Sequence, residues 1–261
     1  MIHPSTIGRA VLALGALGAV APAHAEREWC GEERWDRAFC EVRELSLEGR
    51  SSLRVDAAPN GGIEVRGSDR ADIRLMAKVT AHGRDDADSR AIASEVEIRT
   101  DGTIRADGPS LSRGRHYSIS YRLEVPRKID LDLASHNGGI AVRGVEGSLR
   151  FETHNGGISL EDLAGDVTGG TRNGGLSVKL DGARWEGRGL DVETQNGGVR
   201  LVVPEGYNAE LETGTVNGGV DLDFPISVQG KIARRIETTL GAGGAPVRVV
   251  TTNGGVRVSR R

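Results

Sequence analysis

The sequence predicts an all-β protein built as a stack of similar coils, and three observations predict it. Asn-Gly-Gly followed by an aliphatic residue occurs seven times, beginning at Asn60, Asn137, Asn155, Asn173, Asn196, Asn217 and Asn253. Aliphatic residues stand three and five places after every one of these asparagines, from Ile63 and Val65 to Val256 and Val258, with mostly polar residues between them. That is the period-two alternation of a strand with one buried face. Six repeats carry a hydroxyl two places before the asparagine, at Ser135, Thr153, Thr171, Thr194, Thr215 and Thr251. Each repeat therefore reads as strand, Asn-Gly turn, strand. Asn and Gly accept the positive φ that a sharp turn demands.

In a hairpin meander each Asn-Gly is a two-residue loop. In a parallel β-solenoid each is a corner, with coils stacked about 4.8 Å apart and like residues aligned. The recurrence of Asn137, Asn155, Asn173, Asn196 and Asn217 at one rung favours the solenoid, because stacked amides and hydroxyls bond up a ladder. The meander, or a β-sandwich made from it, stays open as the alternative.

Composition narrows the function classes. The 261 residues include 34 Lys+Arg against 37 Asp+Glu, a formal net charge of −3, which excludes a basic nucleic-acid binder on bulk electrostatics. Glycine is abundant, at 38 residues, without a Gly-X-Y period. With only three each of Trp, Tyr and Phe, the core must be aliphatic.

From the N-terminus, Arg9, the apolar run Ala10–Ala21 and the small residues Ala23 and Ala25 have the form of a signal peptide over residues 1–25, cleaved after Ala25. The apolar run is too short for a membrane anchor, which needs about 18–20 residues, and no later stretch is long enough to span a bilayer. Residues 26–45 form a separate N-terminal segment. Its Cys30 and Cys40 are the only cysteines, and in an oxidising compartment they are expected to pair.

The domain proper runs over 46–261. Its irregular front half has strand patterns at Ser52–Val55, Ile73–Val79, Val96–Arg99 and Tyr117–Val125, and a short helix between Asp85 and Val96. Ser110–Arg115 reads as an exposed loop. Pro126 ends one strand before Asp130–Leu133 starts the next. This half is expected to cap the repeat block. The repeats follow at intervals of 18, 18, 23, 21 and 36 residues, the last with room for an extra coil or a loop around Gly241–Pro246. Arg257, Arg260 and Arg261 place charges at the final strand, which is expected to be an outer end where they would discourage edge pairing.

The run Ile119-Ser-Tyr-Arg-Leu-Glu-Val-Pro126, followed by Ile129-Asp-Leu-Asp-Leu133 and the Asn137-Gly-Gly-Ile-Ala-Val repeats, resembles the bacterial putative-adhesin family of β-strand-repeat domains of unknown function. The resemblance covers roughly residues 46–261. It implies a right-handed, β-helix-like fold and an envelope or surface location. It brings no catalytic residues, and the Cys30–Cys40 segment lies outside it.

Candidate chemistry is sparse. His136 and His154 occupy one rung of adjacent repeats, but the next rung is the cation Arg172, so a solvated ladder is expected there and not a metal site. Glu161, Asp162 and Asp166 cluster after the third repeat, as acids do in β-helical polysaccharide-cleaving enzymes, yet without aromatic platforms. Gly241-Ala-Gly-Gly-Ala245 lacks the Lys-Ser or Lys-Thr of a phosphate loop. Trp185, flanked by Arg184 and Arg188, lies in the insertion Asp181–Gly189 and is the candidate binding residue if exposed; otherwise it folds back over its coil.

The sequence therefore points to an exported, non-enzymatic β-repeat protein of the cell envelope with no cofactor. Its expected partner is a glycan, as for an adhesin or recognition module, or an envelope protein, as for a structural or stress-associated scaffold. A carbohydrate-active β-helix enzyme ranks third.

Overall fold

The computed structural model describes residues 29–31, 38–112, 114–223 and 234–261. The expected signal peptide lies outside these residues. Among them the chain forms twenty strands and one helix, with the strands in two sheets of ten. Sheet A runs β1 (Ala38–Leu47), β4 (Ile73–His82), β7 (His116–Pro126), β3 (Ile63–Ser68), β9 (Ile140–Arg143), β11 (Ile158–Glu161), β13 (Leu176–Lys179), β15 (Val199–Val203), β20 (Val256–Arg260), β17 (Val220–Leu222). Sheet B runs β18 (Arg235–Leu240), β16 (Ala209–Asn217), β19 (Pro246–Asn253), β14 (Gly189–Asn196), β12 (Ala164–Asn173), β10 (Glu146–Asn155), β8 (Asp130–Asn137), β2 (Ser52–Asp56), β6 (Thr103–Asp107), β5 (Glu97–Arg99).

Each repeat gives one strand to each sheet, the strand before its asparagine to sheet B and the strand after its glycines to sheet A. Neighbouring repeats pair in parallel and in register: Thr153 stands beside Ser135 and Thr171, and Asn155 beside Asn137 and Asn173. Hairpins would pair antiparallel. The repeat block is a β-solenoid, and the meander alternative is excluded.

The corners work differently from the turn chemistry expected of Asn-Gly. Asp162, at φ +52°, is the only described non-glycine residue with positive φ, so none of the seven asparagines adopts the left-handed conformation. Glycine is required for closeness instead. A Cβ on Gly138, Gly156, Gly174 or Gly197 would lie 2.0–2.2 Å from the first glycine's carbonyl oxygen in the adjacent corner. The asparagine amides form an unbroken chain, each Nδ2 donating to the next Oδ1 at 2.8–2.9 Å. The hydroxyls do not bond to one another: Ser135, Thr153, Thr171, Thr194 and Thr251 each donate at 2.8 Å to the first-glycine carbonyl of the neighbouring coil.

Inward-facing aliphatic residues of both sheets make one continuous core. Of the fourteen aliphatic repeat positions, all are buried except Val220 and Leu222 on β17, which is the edge of sheet A and has a neighbour on one side only. Within the core, Phe151 lies beside Gly169 in register, and its ring fills the space a side chain there would take.

The front half caps one end. β1, β4 and β7 pair antiparallel before β7 joins β3 in parallel. The helix α1 (Asp86–Glu95) buries Ser89, Ile92 and Ala93 and contacts β1 and β4. Its N-cap Asp85 accepts from the Asp88 amide at 2.8 Å. Arg43 holds the other end, donating to the carbonyls of Ala93, at 2.8 Å, and Val96. The Cys30–Cys40 disulfide is formed and secures the Trp29 segment to β1. Trp29 in turn lies over the Arg122 guanidinium, 4.1 Å from the ring centroid.

Asp88 ties this cap together. Its carboxylate accepts from the Arg84 side chain and amide and from Arg115, and these bonds bring its pKa down to about 2. A carboxylate with a depressed folded pKa stabilises above its unfolded pKa, and that contribution is lost as pH falls through the folded value. The thermal midpoint of Asp88→Asn should therefore lie below wild type at pH 5 and converge with it toward pH 2. Parallel acid limbs for the two proteins would remove Asp88 from the account.

Tyr121 makes the opposite case. It is buried, its hydroxyl has no partner among the described residues, and burial pushes its pKa up. An unsatisfied buried hydroxyl costs roughly 1–3 kcal/mol, so Tyr121→Phe should leave stability unchanged or raise it by about 1 kcal/mol. A clear loss in urea melts would show that the hydroxyl is bonded.

The other end breaks sequence order. In sheet B, β19 lies between β14 and β16, and in sheet A, β20 lies between β15 and β17. The coil that comes last in sequence is thus the penultimate rung, with Asn253 bonded to Asn196 on one side and Asn217 on the other, both at 2.8 Å. β18 then pairs antiparallel with the outer edge of β16. Gly144 and Val145 alone suffice to connect β9 to β10, but the link from β15 to β16 takes Pro204–Asn208 because it passes over the rung that β19 and β20 fill.

Candidate binding groove

The outward side chains of sheet B form rows across the strands. One row runs Arg54, Asp132, Arg150, Thr168, Asp191, Arg248, Glu212. Its charges alternate, and most are paired: Arg54 with Asp132 at 2.8 Å, and Arg248 with Asp191 at 2.6 Å and Glu212 at 3.1 Å. The next row runs Ala134, Glu152, Gly170, Glu193, Val250. At β12 both rows dip, to Thr168 and Gly170.

The result is an open groove of about 690 Å³ along β12. Thr168 and Gly170 form its floor, Arg150, Glu152 and His154 one wall, and Asp191, Glu193 and Gln195 the other. With strands about 4.8 Å apart the walls stand roughly 10 Å from each other, the width of one extended chain. Glu193 and Asp191 are engaged by Arg248. Arg150, Glu152 and Arg172 make no ion pair with any described residue, so three charges at the groove are uncommitted.

The residues singled out from sequence fall elsewhere or at its margin. Trp185 is buried at 5% exposure, and its indole N–H donates to the Gly165 carbonyl at 3.0 Å, so it is part of the core and presents no ring face to a ligand. This corrects its candidacy as a binding residue: the insertion folds inward because the ring packs with Leu160, Leu163, Leu180 and Leu190 around a residual void of only about 10 Å³. Arg184 pairs with Glu186 at 2.9 Å and Arg188 with Asp166, both at the surface. His136 and His154 stack with ring centroids 4.8 Å apart, beside Arg172 at one end of the groove.

The acidic cluster is dispersed among cations. Glu161 is bonded to Lys179 and lies 3.5 Å from Arg143, and the Lys179 bond holds its carboxyl below the usual range. Among the described residues no group of three His, Cys, Asp or Glu could hold a metal ion. The Gly241–Ala245 loop is fixed by Asn208, whose Oδ1 accepts from the Ala242 amide at 2.7 Å. As a site the groove escaped the sequence reading, which weighed its His154 and Arg172 only as a solvated ladder, although one signal was present: Gly169-Gly170 in mid-strand, where Leu133-Ala134 and Phe151-Glu152 stand in the coils before it.

Residues 120–259, more than half the chain, match the Toastrack DUF4097 family. The chain belongs to that family. Solved structures similar to this Toastrack chain include a putative cell adhesion protein from Clostridium sporogenes, 10% identical, with 85% of this chain and 100% of that one covered and a TM-score of 0.44. A putative adhesin from Bacteroides fragilis is 10% identical, with 85% and 97% covered and a TM-score of 0.35. A putative lipid binding protein from Parabacteroides distasonis is 11% identical, with 85% and 96% covered and a TM-score of 0.27. No curated protein matches the chain. Among the described residues no helix is long and apolar enough to cross a membrane.

Proposed function

We propose that this Toastrack chain is an exported, non-catalytic recognition module of the bacterial cell envelope that binds an extended polar ligand, a glycan strand, along β12. The observation that carries this reading is the groove floored by Thr168 and Gly170, with Arg150, Glu152 and Arg172 free to engage a ligand. A glycine floor lets a sugar ring approach the backbone, and uncommitted charges at the walls supply directional bonds without first breaking ion pairs. Export rests on the signal-peptide pattern of residues 1–25 and agrees with the Cys30–Cys40 disulfide, which persists in oxidising compartments. In this reading residues 26–45 are the N-terminal segment, although from Ala38 on they already belong to β1 of sheet A, and 46–261 are the repeat domain with its cap. Its coil is right-handed in this reading, as parallel crossovers are in about 98% of cases. The non-catalytic reading is supported by Glu161 and Asp166, whose charges are committed to Lys179 and Arg143 and to Arg188.

The test is binding of the purified chain to a broad array of bacterial and host glycans, with Arg150→Ala/Arg172→Ala alongside. Saturable binding by the wild type, weakened at least tenfold in the variant, is the expected result. Binding unaffected by the double substitution would place recognition off the groove. A blank array would end the glycan reading and favour an envelope scaffold with a protein partner.

A further inference from the structure

The inverted order of the last two rungs leaves a slot in the solenoid. β14 and β15 form one wall, β16 and β17 the other, and the connection Pro204–Asn208 holds them one rung apart. The occupant, β19 and β20, is bound as any other rung would be. Thr251 pairs with Thr194 and Thr215, and Val256 and Val258 pair with Val199 and Leu201 on one side and Val220 and Leu222 on the other. The contacts are parallel, in register and largely main-chain, as in the bonds from Gly197 N to Asn253 O, from Gly254 N to Asn217 O and from Val256 N to Gly219 O. Nothing in them distinguishes this coil from the same coil of another molecule.

The coil is joined to the rest of its own chain through Gly241–Ala245, which arches over the start of β16 from β18 on one side to β19 on the other. Gly241 and Gly243 have φ of +56° and +77° in that arch. A glycine-rich hinge leading into a self-contained element is the arrangement that permits exchange of identical elements between protomers.

We propose that the slot exchanges its occupant: the coil Pro246–Arg260 of one chain inserts between β14/β15 and β16/β17 of a second copy, and a reciprocally swapped dimer results. The partner is a second copy of this chain, because the slot selects the Thr-x-Asn-Gly-Gly-aliphatic rung on both walls. Shortening the hinge should drive exchange, since an arch too short to span β16 can still extend toward a neighbour.

The test uses full chains with single substitutions on the outer face. Arg200 and Arg257 stand side by side across the slot wall in parallel register, at a separation compatible with a disulfide. The native cysteines are already paired. A chain carrying Arg200→Cys is mixed with one carrying Arg257→Cys, incubated at high concentration and oxidised, with the native hinge and with Gly243 and Gly244 deleted. A chain with both substitutions reports that the geometry closes. A mixture of Arg200→Cys with Arg105→Cys, which lies far from the slot on β6, measures random collision. The expected result is a linked species of two chains with the native hinge, several-fold more abundant than the collision control and further enriched by the deletion. If the doubly substituted chain closes within itself while the native-hinge mixture gives no more adduct than the control, the proposal is overturned, whether or not the shortened chain folds.

Discussion

Gly156→Ala should be among the most damaging single substitutions in the protein, whereas Gly157→Ala, one residue away, should be almost silent. Neither glycine has a positive φ that would strain an alanine, so the contrast isolates space. A Cβ at position 156 would stand 2.2 Å from the Gly138 carbonyl oxygen and 2.4 Å from its carbon. Those are main-chain atoms held in register on both sides, and they cannot yield without opening the corner. At position 157 the nearest atom would be the Gly175 oxygen at 3.4 Å, an ordinary contact. Overpacking commonly costs about 1–3 kcal/mol where side chains can move. Against backbone, Gly156→Ala should cost about 3 kcal/mol or more, and Gly157→Ala less than about 1 kcal/mol. For a domain of this size that corresponds to a midpoint lowered by roughly 6–12 °C against a few degrees at most. Equal effects in thermal and urea melts would mean that the corners are not stacked as closely as described.

Trp185→Ala should unfold the protein more readily and leave ligand binding per folded molecule unchanged. The indole is buried among leucines from β11, β14 and the links beside them, and its N–H satisfies the Gly165 carbonyl. Removing it leaves a large cavity and an unpaired carbonyl. Large-to-small substitutions of this kind cost about 3–5 kcal/mol. Trp185→Phe, which keeps most of the volume but not the donor, should fall between the two, with a loss of roughly 1–2 kcal/mol. The discriminating measurement is stability and binding on the same preparations. Wild-type stability with lost binding would return Trp185 to the surface as a recognition residue.

The solenoid was legible because its alternation is simple: a residue three or five places beyond each asparagine faces inward, and Ile140, Leu160 and Val258 do so. The helix was legible from Asp85 and the polar run after it, and it begins at Asp86. The corner mechanism was not. Asn-Gly is the same dipeptide whether glycine is needed for backbone conformation or for closeness, and only the adjacent coil's carbonyl decides which. The swapped order of the last two rungs was hidden for a related reason. Asn217 and Asn253 carry the same flanking pattern, so sequence offers no reason to place one outside the other, and the wide interval between them marks extra chain without showing its path. For Trp185 the sequence left both outcomes open, because flanking arginines suggest solvent while its burial depends on leucines from other coils. The groove was overlooked because it consists of a missing side chain at Gly170 and a short one at Thr168.

The position of β19 also sets an order of events. In most coil stacks each new turn can dock on the one before as the chain emerges, so a growing solenoid is complete behind its leading edge. Here β16 reaches its place in the sheet through β19, which lies downstream of it. Until Pro246 and the residues after it are available, the strands on either side of the gap present unpaired edges. Such edges are the surfaces on which chains aggregate. Emergence of the chain from its N-terminal side would therefore deliver the closing piece after both of the rungs it joins, and a chain held up near residue 240 would be both unfinished and adhesive to its own kind.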